Sequence, residues 1–382
     1  MFDWAMDRRK VATLVALALL AGCKVIPKGA PDTTPPPERP DANALPADRE
    51  RHRVALLVPM SGANGPVGQS IANAATMALL DTNAQNLRIT TYDTSTGAAA
   101  AAAKAVADGN KLILGPLMSD DIQAVAAAAR SARVPVISFS NDETAAQRDI
   151  FIMGSLPSQS VARVVGYARA QGSKSFAALV PAGEYGQRAS AALFAETRAQ
   201  GGSVAATESY DRGNTSVASA ARRLKAKGGY DTVLIADGGR IAAQAAPGLK
   251  VATGPRVLGT ELWSGESVVA STPALRGAWF AAVPDARFRQ FATSYRSRFG
   301  AQPYRIATLG YDGVLLTLRV AREWRPGTTF PTGRLSDKGG FLGLDGAFRF
   351  QPNGVVERAL EVREVRATGV TVVSPAPSRF ED

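Results

Sequence analysis

Beyond Arg53 the chain alternates short runs that are apolar on both faces with longer stretches of helical apolar spacing. Residues 54–58, 88–92, 112–114 and 136–138 read as strands, since helices covering both sides of a parallel sheet leave its strands no polar face. Residues 66–80, 98–106 and 120–129 read as the helices between them. Pro66 suits a first helical position, where its missing N–H costs nothing. This order is that of a doubly wound α/β unit. The pattern then repeats, with strands at 176–180, 204–209, 232–235 and 257–258 and helices at 161–170, 185–200, 217–227 and 241–249. Two further helices, 288–299 and 306–322, precede a tail whose runs at 347–350, 360–365 and 369–373 read as antiparallel strands. The expected fold class is therefore α/β, with two doubly wound Rossmann-like lobes and several crossovers between them. Residues 51–375 make up this body. The first lobe is expected at about 51–155 plus 278–335, the second at about 156–277 plus 336–375. Such a body has a central cleft at the carboxyl ends of its strands, where ligands bind.

Residues 1–22 have the make-up of a processing signal rather than of a folded element. Arg8, Arg9 and Lys10 are followed by an apolar run over 11–22, too short to span a bilayer as a helix. The run ends Leu20-Ala21-Gly22-Cys23, which resembles the lipobox of bacterial lipoproteins. That resemblance implies cleavage before Cys23 and lipidation of its thiol, and Lys24 after it implies sorting to the outer membrane of a Gram-negative cell. Residues 23–50 are the lipidated Cys and a linker with seven prolines and almost no bulky apolar residue, a composition that builds no core. At ~3.1 Å per residue this tether reaches at most about 80 Å.

The charge inventory narrows the function further. Forty-four Lys and Arg against 33 Asp and Glu give a net charge of +11, yet an exported lipoprotein is not expected to meet nucleic acid. Arg287, Arg289, Arg296, Arg298 and Arg305 gather around one predicted helix, either as a solvated face or as a surface for anionic lipid, peptidoglycan or an acidic partner. A single Cys excludes an intramolecular disulfide framework and Cys-rich zinc sites. A single His leaves no His-rich metal cage, and a Ser-His-Asp or Cys-His arrangement would have to run through His52, which sits between two arginines and reads as solvated. No catalytic residue, metal or cofactor is expected. Gly62, Gly65 and Gly68 lack the spacing and the Lys-Ser/Thr of phosphate loops, and a turn before the Pro66 helix accounts for them better.

The segment Val54-Ala-Leu-Leu-Val-Pro-Met-Ser-Gly62 with Gly68-Gln69 resembles the start of type I periplasmic binding proteins of the leucine/isoleucine/valine family. Leu114-Gly-Pro-Leu-Met-Ser119, Val134-Pro-Val-Ile-Ser-Phe-Ser-Asn-Asp142, Tyr185-Gly186, Phe299-Gly300 and Gly310-Tyr-Asp-Gly313 follow in that family's order. Ile235-Ala-Asp-Gly-Gly239, Leu258-Gly-Thr-Glu-Leu-Trp263 and Gly343-Leu-Asp-Gly-Ala-Phe-Arg-Phe350 are similar to its penicillin-binding protein activator branch. That branch implies a non-enzymatic lipoprotein that stimulates a peptidoglycan synthase, a class A penicillin-binding protein, by contact. The alternative implied by the wider family is the substrate-binding component of an ABC importer, with an amino acid or related small molecule in the cleft and an ABC permease as partner.

The resemblance also implies site residues. Ser119 matches the helix-start Ser that holds a ligand carboxylate, Ser140 the loop position supplying backbone contacts, Tyr185 the pocket Tyr and Glu261 the acid that takes an ammonium. Ser119 serves equally as a plain N-cap, and Glu261 as partner to an arginine. Asp142 stands where the family has a loop hydroxyl, and Asp120 and Asp121 occupy the helix start that would attract an anion. Like charges 4 Å apart repel by about 4 kcal/mol at an effective dielectric of 20, so a zwitterionic amino acid is expected to fit poorly.

Overall fold

Two sheets wound in the same way carry the body, the compact unit Ala47–Asp382. The computed structural model describes residues 50–249, 254–377 and Phe380. The processing signal, Cys23 and the proline-rich segment lie outside them.

The first sheet takes β1 (His52–Val58), β2 (Leu87–Asp93), β3 (Leu112–Leu114), β4 (Val136–Ser138) and β5 (Ile150–Ile152) in the order β2-β1-β3-β4-β5, all parallel. Helices α1 (Gly65–Thr82), α2 (Ala98–Ala107) and α3 (Ile122–Arg130) connect the first four strands. Val54, Leu56 and Val58 face one core with Ile71 of α1, and Ala55 and Leu57 face another with Ala102 and Val125. A strand buried on both sides has to be apolar throughout, which is why its run was legible without a period. Helix α1 starts one residue ahead of Pro66, which occupies its first turn as expected.

The second lobe repeats the winding. Helix α4 (Pro157–Ala170) leads into β6 (Ser175–Pro181), α5 (Glu184–Ala199), β7 (Ser203–Tyr210), α6 (Ser216–Lys227), β8 (Thr232–Ile235), α7 (Gly239–Leu249), β9 (Arg256–Gly259), α8 (Ser267–Ser271) and β10 (Trp279–Ala282). Its parallel strands run β7-β6-β8-β9-β10. In both sheets the order reverses beside the first strand, and ligands of open α/β sheets bind at such a point.

The two lobes share a further device. An alanine Cβ at Gly68 would lie 1.7 Å from the Pro59 carbonyl oxygen, and one at Gly186 would lie 1.9 Å from that of Pro181. Each glycine lets the helix that follows the first strand of its sheet pass directly over the end of that strand. Gly68 therefore serves helix–strand packing, and Gly62, at φ 69°, serves the turn before it.

After β10 the chain returns to the first lobe. Helices α9 (Ala286–Phe299) and α10 (Thr308–Ala321) pack on α1, and β11 (Phe341–Gly343), β12 (Gly346–Phe350) and β13 (Val356–Arg358) form a small antiparallel sheet that closes the same core through Phe341, Phe348 and Phe350. Strands β14 (Glu361–Arg366) and β15 (Gly369–Ser374) then add antiparallel to β10 at the edge of the second sheet. Sheet membership puts the second crossover after Ala282 and the third after Arg358, later than the 278 and 336 expected. Residues 279–282 are expected in the first lobe, with no strand assigned to them, whereas β10 is the last parallel strand of the second sheet. Strands β5, β11 and β13 have three residues each, too few to show a period.

His52 corrects another expectation. It is 2% exposed, begins β1, and stacks on Trp324 with ring centroids 4.0 Å apart and planes at 19°. The segment following α10 covers it, a contact that its arginine neighbours in sequence do not foreshadow. Burial holds its pKa below the ordinary 6.5, and Nδ1 has no partner. The unfolded chain then binds a proton that the folded one refuses, so this contribution is present above about pH 6.5 and is lost as pH falls below it. Thermal unfolding followed from pH 8 to 5 is expected to show a slope that His52→Phe, which keeps the ring stack, reduces. Equal slopes in the two proteins would remove the assignment.

Candidate functional site

The carboxyl ends of both sheets open on one cavity of about 800 Å³. Leu117 and Met118 after β3, Phe139 and Asn141 after β4, and the segment 302–309 before and into α10 supply the first-lobe wall. The second-lobe wall is Ser160 of α4 and the turn after β9, Glu261 to Glu266. The crossover segments contribute Leu156, Val283, Arg358 and Leu360 at the base.

Glu261 comes to the cavity because β9 ends at Gly259 and the next residues form a tight turn. A Cβ at Gly259 would meet the Trp263 ring at 2.3 Å, so glycine lets that indole fold back under the strand. Trp263 Nε1 donates to the Asp237 carbonyl at 2.9 Å, fixing the turn to the end of β8. Tyr185 O–H donates to Glu261 Oε1 at 2.9 Å and also lies 2.9 Å from Thr260 Oγ1, while the Glu261 N–H donates to Ser160 Oγ at 3.2 Å. Glu261 Oε2 is buried and has no partner. Burial raises the carboxyl pKa above its ordinary value, against the hydrogen bonds from Ser160 and Tyr185. Burial and then the Glu261 charge hold the Tyr185 hydroxyl protonated well beyond its usual range. Behind Tyr185, Arg212 lies 5.7 Å over the ring and pairs with Asp237 at 2.8 and 3.0 Å, and Tyr210 O–H donates to the same carboxylate at 2.6 Å. Tyr185 thus orients Glu261 from the cavity's edge.

The other three expected positions are occupied by structural bonds. Ser119 sits half-buried in a turn ahead of α3, outside the cavity lining, with its hydroxyl 3.4 Å from Asp120 Oδ1 and no cap bond to the helix. The crowding of acids there is visible in Asp121, whose pKa is raised by burial and then by Asp120. Ser140 is buried and spends its hydroxyl on the Asp142 N–H at 3.1 Å. Asp142 accepts from the Thr144 N–H and O–H at 3.1 and 2.7 Å and pairs with Arg188 of α5 at 3.0 Å. Arg188 also donates to Asn141 Oδ1 at 3.1 Å, so one second-lobe arginine ties the two lobes at the mouth of the cleft.

The cavity residues that the sequence did not announce are Arg305, Thr308, Asp345 and Arg358. Asp345 accepts from Arg305 Nη1 and, at 2.7 Å, from Thr308 Oγ1. Beside it Asp312, fully buried, accepts from the Leu344 N–H at 2.7 Å, and a Cβ at Gly343 would lie 2.3 Å from its Oδ2. Burial and then the Asp345 charge push the Asp312 carboxyl up to about 7. Arg358 is 6% exposed and donates Nη2 to the Met153 carbonyl at 2.6 Å, bonding two crossover segments. Arg305 had been grouped with the basic helix, but it turns inward. Of the others, Arg287 donates to the Gly343 carbonyl and Arg298 pairs with Asp81, so the five arginines do not act as one face. No spacing rule marks Arg305 or Arg358, because they are far apart in sequence and come together only when the small antiparallel sheet closes on the first lobe.

Among the described residues no cluster of His, Cys, Asp or Glu is placed to hold a metal, and no helix is long and apolar enough to cross a membrane. A buried carboxylate from one lobe and guanidinium groups from the other line the same cavity. That arrangement is suited to gripping a small molecule between lobes.

Comparisons with known proteins agree with this architecture. The chain is 28% identical over 179 residues to the uncharacterised protein RP748 of Rickettsia prowazekii, a match covering 46% of this chain and 48% of that one, about half the length of that curated relative. Its fold is similar to that of a leucine binding protein, LivK, of Thermotoga maritima, with a TM-score of 0.65, 18% identity, and 85% of this chain and 98% of that one covered. It is also similar to a solute binding protein of an ABC transporter from R. palustris solved in complex with 4-hydroxybenzoate, with a TM-score of 0.67, 16% identity, and coverage of 86% and 98%. At such identities these two likenesses show the fold alone. The profile of the periplasmic binding protein family matches residues 52–369, so the chain belongs to that family, with the type I α/β fold of its leucine-binding-protein-like members.

Proposed function

We propose that this is a non-enzymatic envelope protein that captures a small molecule in its inter-lobe cleft and presents the closed form to an ABC permease. The observation that carries it is the cavity of about 800 Å³ at the strand ends, with Glu261 Oε2 buried, unpartnered and held in place by Tyr185. A carboxylate oxygen left without a donor is costly, and a bound donor relieves that cost. The structures of similar fold, a leucine binding protein and a solute binding protein in complex with 4-hydroxybenzoate, support a small organic ligand. Residues 1–22 are read as the signal and Cys23 as the lipid attachment site, with the tether placing the body in the periplasm at the outer membrane.

A thermal-shift panel of amino acids, aromatic acids, amides of both, polyamines and muropeptides tests this on the full chain, unfolded and refolded to strip carried-over ligand. A ligand at 100 times its Kd adds about 2.7 kcal/mol of stability. Glu261→Ala is expected to weaken an amine-bearing ligand by ~2 kcal/mol or more. Unchanged affinity would remove Glu261 from the site.

A second reading, activation of a peptidoglycan synthase by contact, is supported by the Arg188 tie between the lobes. Bonds of the protein's own hold the cleft mouth together, as suits a surface that a partner reads. The amino-acid anchors Ser119 and Asp142 are likewise engaged in structural bonds. A silent panel together with a raised polymerising or transpeptidase rate of a class A penicillin-binding protein from the same cell would favour this reading over the first.

A further inference from the structure

We infer that the cleft is built for a small organic acid whose carboxylate is held by Arg305 and Arg358 of the first lobe and the base of the cleft. This rests on the ligand-binding reading and names the ligand's class. Arg358, almost wholly buried, uses Nη2 on the Met153 carbonyl and leaves Nε and Nη1 without a partner. Arg305 uses Nη1 on Asp345 and leaves Nε and Nη2 without a hydrogen bond, its nearest other acid being Asp285 at 3.9 Å. Asp285 is already engaged by Arg363, and Asp345 by Thr308. Four guanidinium nitrogens at one cavity therefore want an acceptor that the protein does not supply.

The two planes are held ready. Arg305 lies 4.0 Å over the Phe288 ring and Arg358 lies 5.3 Å over that of Phe348. A planar fork so fixed matches a carboxylate with two parallel N–H···O bonds and loses little freedom on binding. Burial disfavours the charge of Arg358, Asp345 and Asp312 support it, and Arg305 adds a smaller repulsion that an anion between the two arginines relieves. Asp312 and Asp345 stand close by, so a singly charged carboxylate is tolerated better than a doubly charged phosphate. Phe139, Leu156, Val283 and Leu309 line the same cavity as the arginines and Glu261, which suits an apolar body. Glu261 then accepts from a hydroxyl or ammonium at the far end, so one molecule bonds both lobes.

Calorimetric titration of the refolded full chain with 4-hydroxybenzoate and leucine, and with 4-hydroxybenzamide and leucinamide, tests this. Acids are expected to bind about tenfold or more tightly than their amides, and Arg305→Gln to cost the acids about tenfold or more while leaving the amides unchanged. Arg358→Gln is expected to do the same. If its burial prevents folding, Arg305→Gln, at a more exposed position, carries the test. Amides binding as tightly as acids, or acids unaffected by Arg305→Gln, would overturn the carboxylate assignment and leave the ligand-binding reading standing. Silence from both acids while a neutral or cationic member of the thermal-shift panel binds would do the same. Silence throughout would overturn both.

Discussion

Gly68→Ala and Gly186→Ala are each expected to destabilise the body by about 3 kcal/mol or more, against the ordinary rule for helices. In a helix, alanine is favoured over glycine by about 1 kcal/mol. Here the added methyl would overlap the carbonyl oxygens of Pro59 and Pro181, at 1.7 and 1.9 Å. Neither carbonyl has a rotamer to escape into, because both belong to the backbone, Pro59 directly after β1 and Pro181 at the end of β6. The helix has to lift from the strand, and with it the switch-point loops that shape the cleft. Urea unfolding of both variants is expected to show a lower midpoint at an unchanged slope. Gly333→Ala is the control, since nothing lies within 4 Å of its Cβ. A loss confined to Gly333, or no loss at Gly68 and Gly186, would show that helix–strand contact is not what these glycines serve.

Cys23→Ser is expected to move the protein from the membrane fraction to the soluble one almost completely. Each buried acyl CH₂ contributes about 0.8 kcal/mol to membrane attachment, and one chain binds only marginally while two hold stably. A diacylated Cys23 therefore changes partition by many orders of magnitude, and nothing else among the described residues offers an apolar span to replace it. Fractionation of cells expressing each form, with mass spectrometry of the N-terminal peptide, reads the outcome directly. A variant that still pellets with membranes, or an unmodified thiol in the mature protein, would remove the anchor. On the proposed reading of an anchored linker, residues 24–50 would give a reach of at most about 80 Å at ~3.1 Å per residue.

Much of the scaffold was legible because its causes are local. Strand β1 is buried on both faces and so is apolar at nearly every position. Pro66 marks a helix start through its own ring, and the alternation of strands and helices dictates the doubly wound order. The cleft was legible in part. Glu261 and Tyr185 lie just past strand ends, and the structure bonds them to each other, with Glu261 in the cavity lining and Tyr185 outside it. Ser119, Ser140 and Asp142 lie just past strand ends too, but their own turns and Arg188 claim their hydrogen-bonding groups.

The chain's own pattern determined two α/β lobes and their joining by repeated crossings, and its single Cys excluded a cysteine-rich metal site. Burial periodicity and residue counts are properties of neighbouring positions, and they need no knowledge of what folds against what. Only the tertiary structure decided that His52 lies under Trp324, that the lobes exchange chain after Ala282 and Arg358, and that Arg305 and Arg358 meet at the base of the cleft. These depend on contacts between segments far apart in sequence. An arginine is compatible with solvent everywhere, so its burial is imposed by the walls that close around it and leaves no mark in its local sequence.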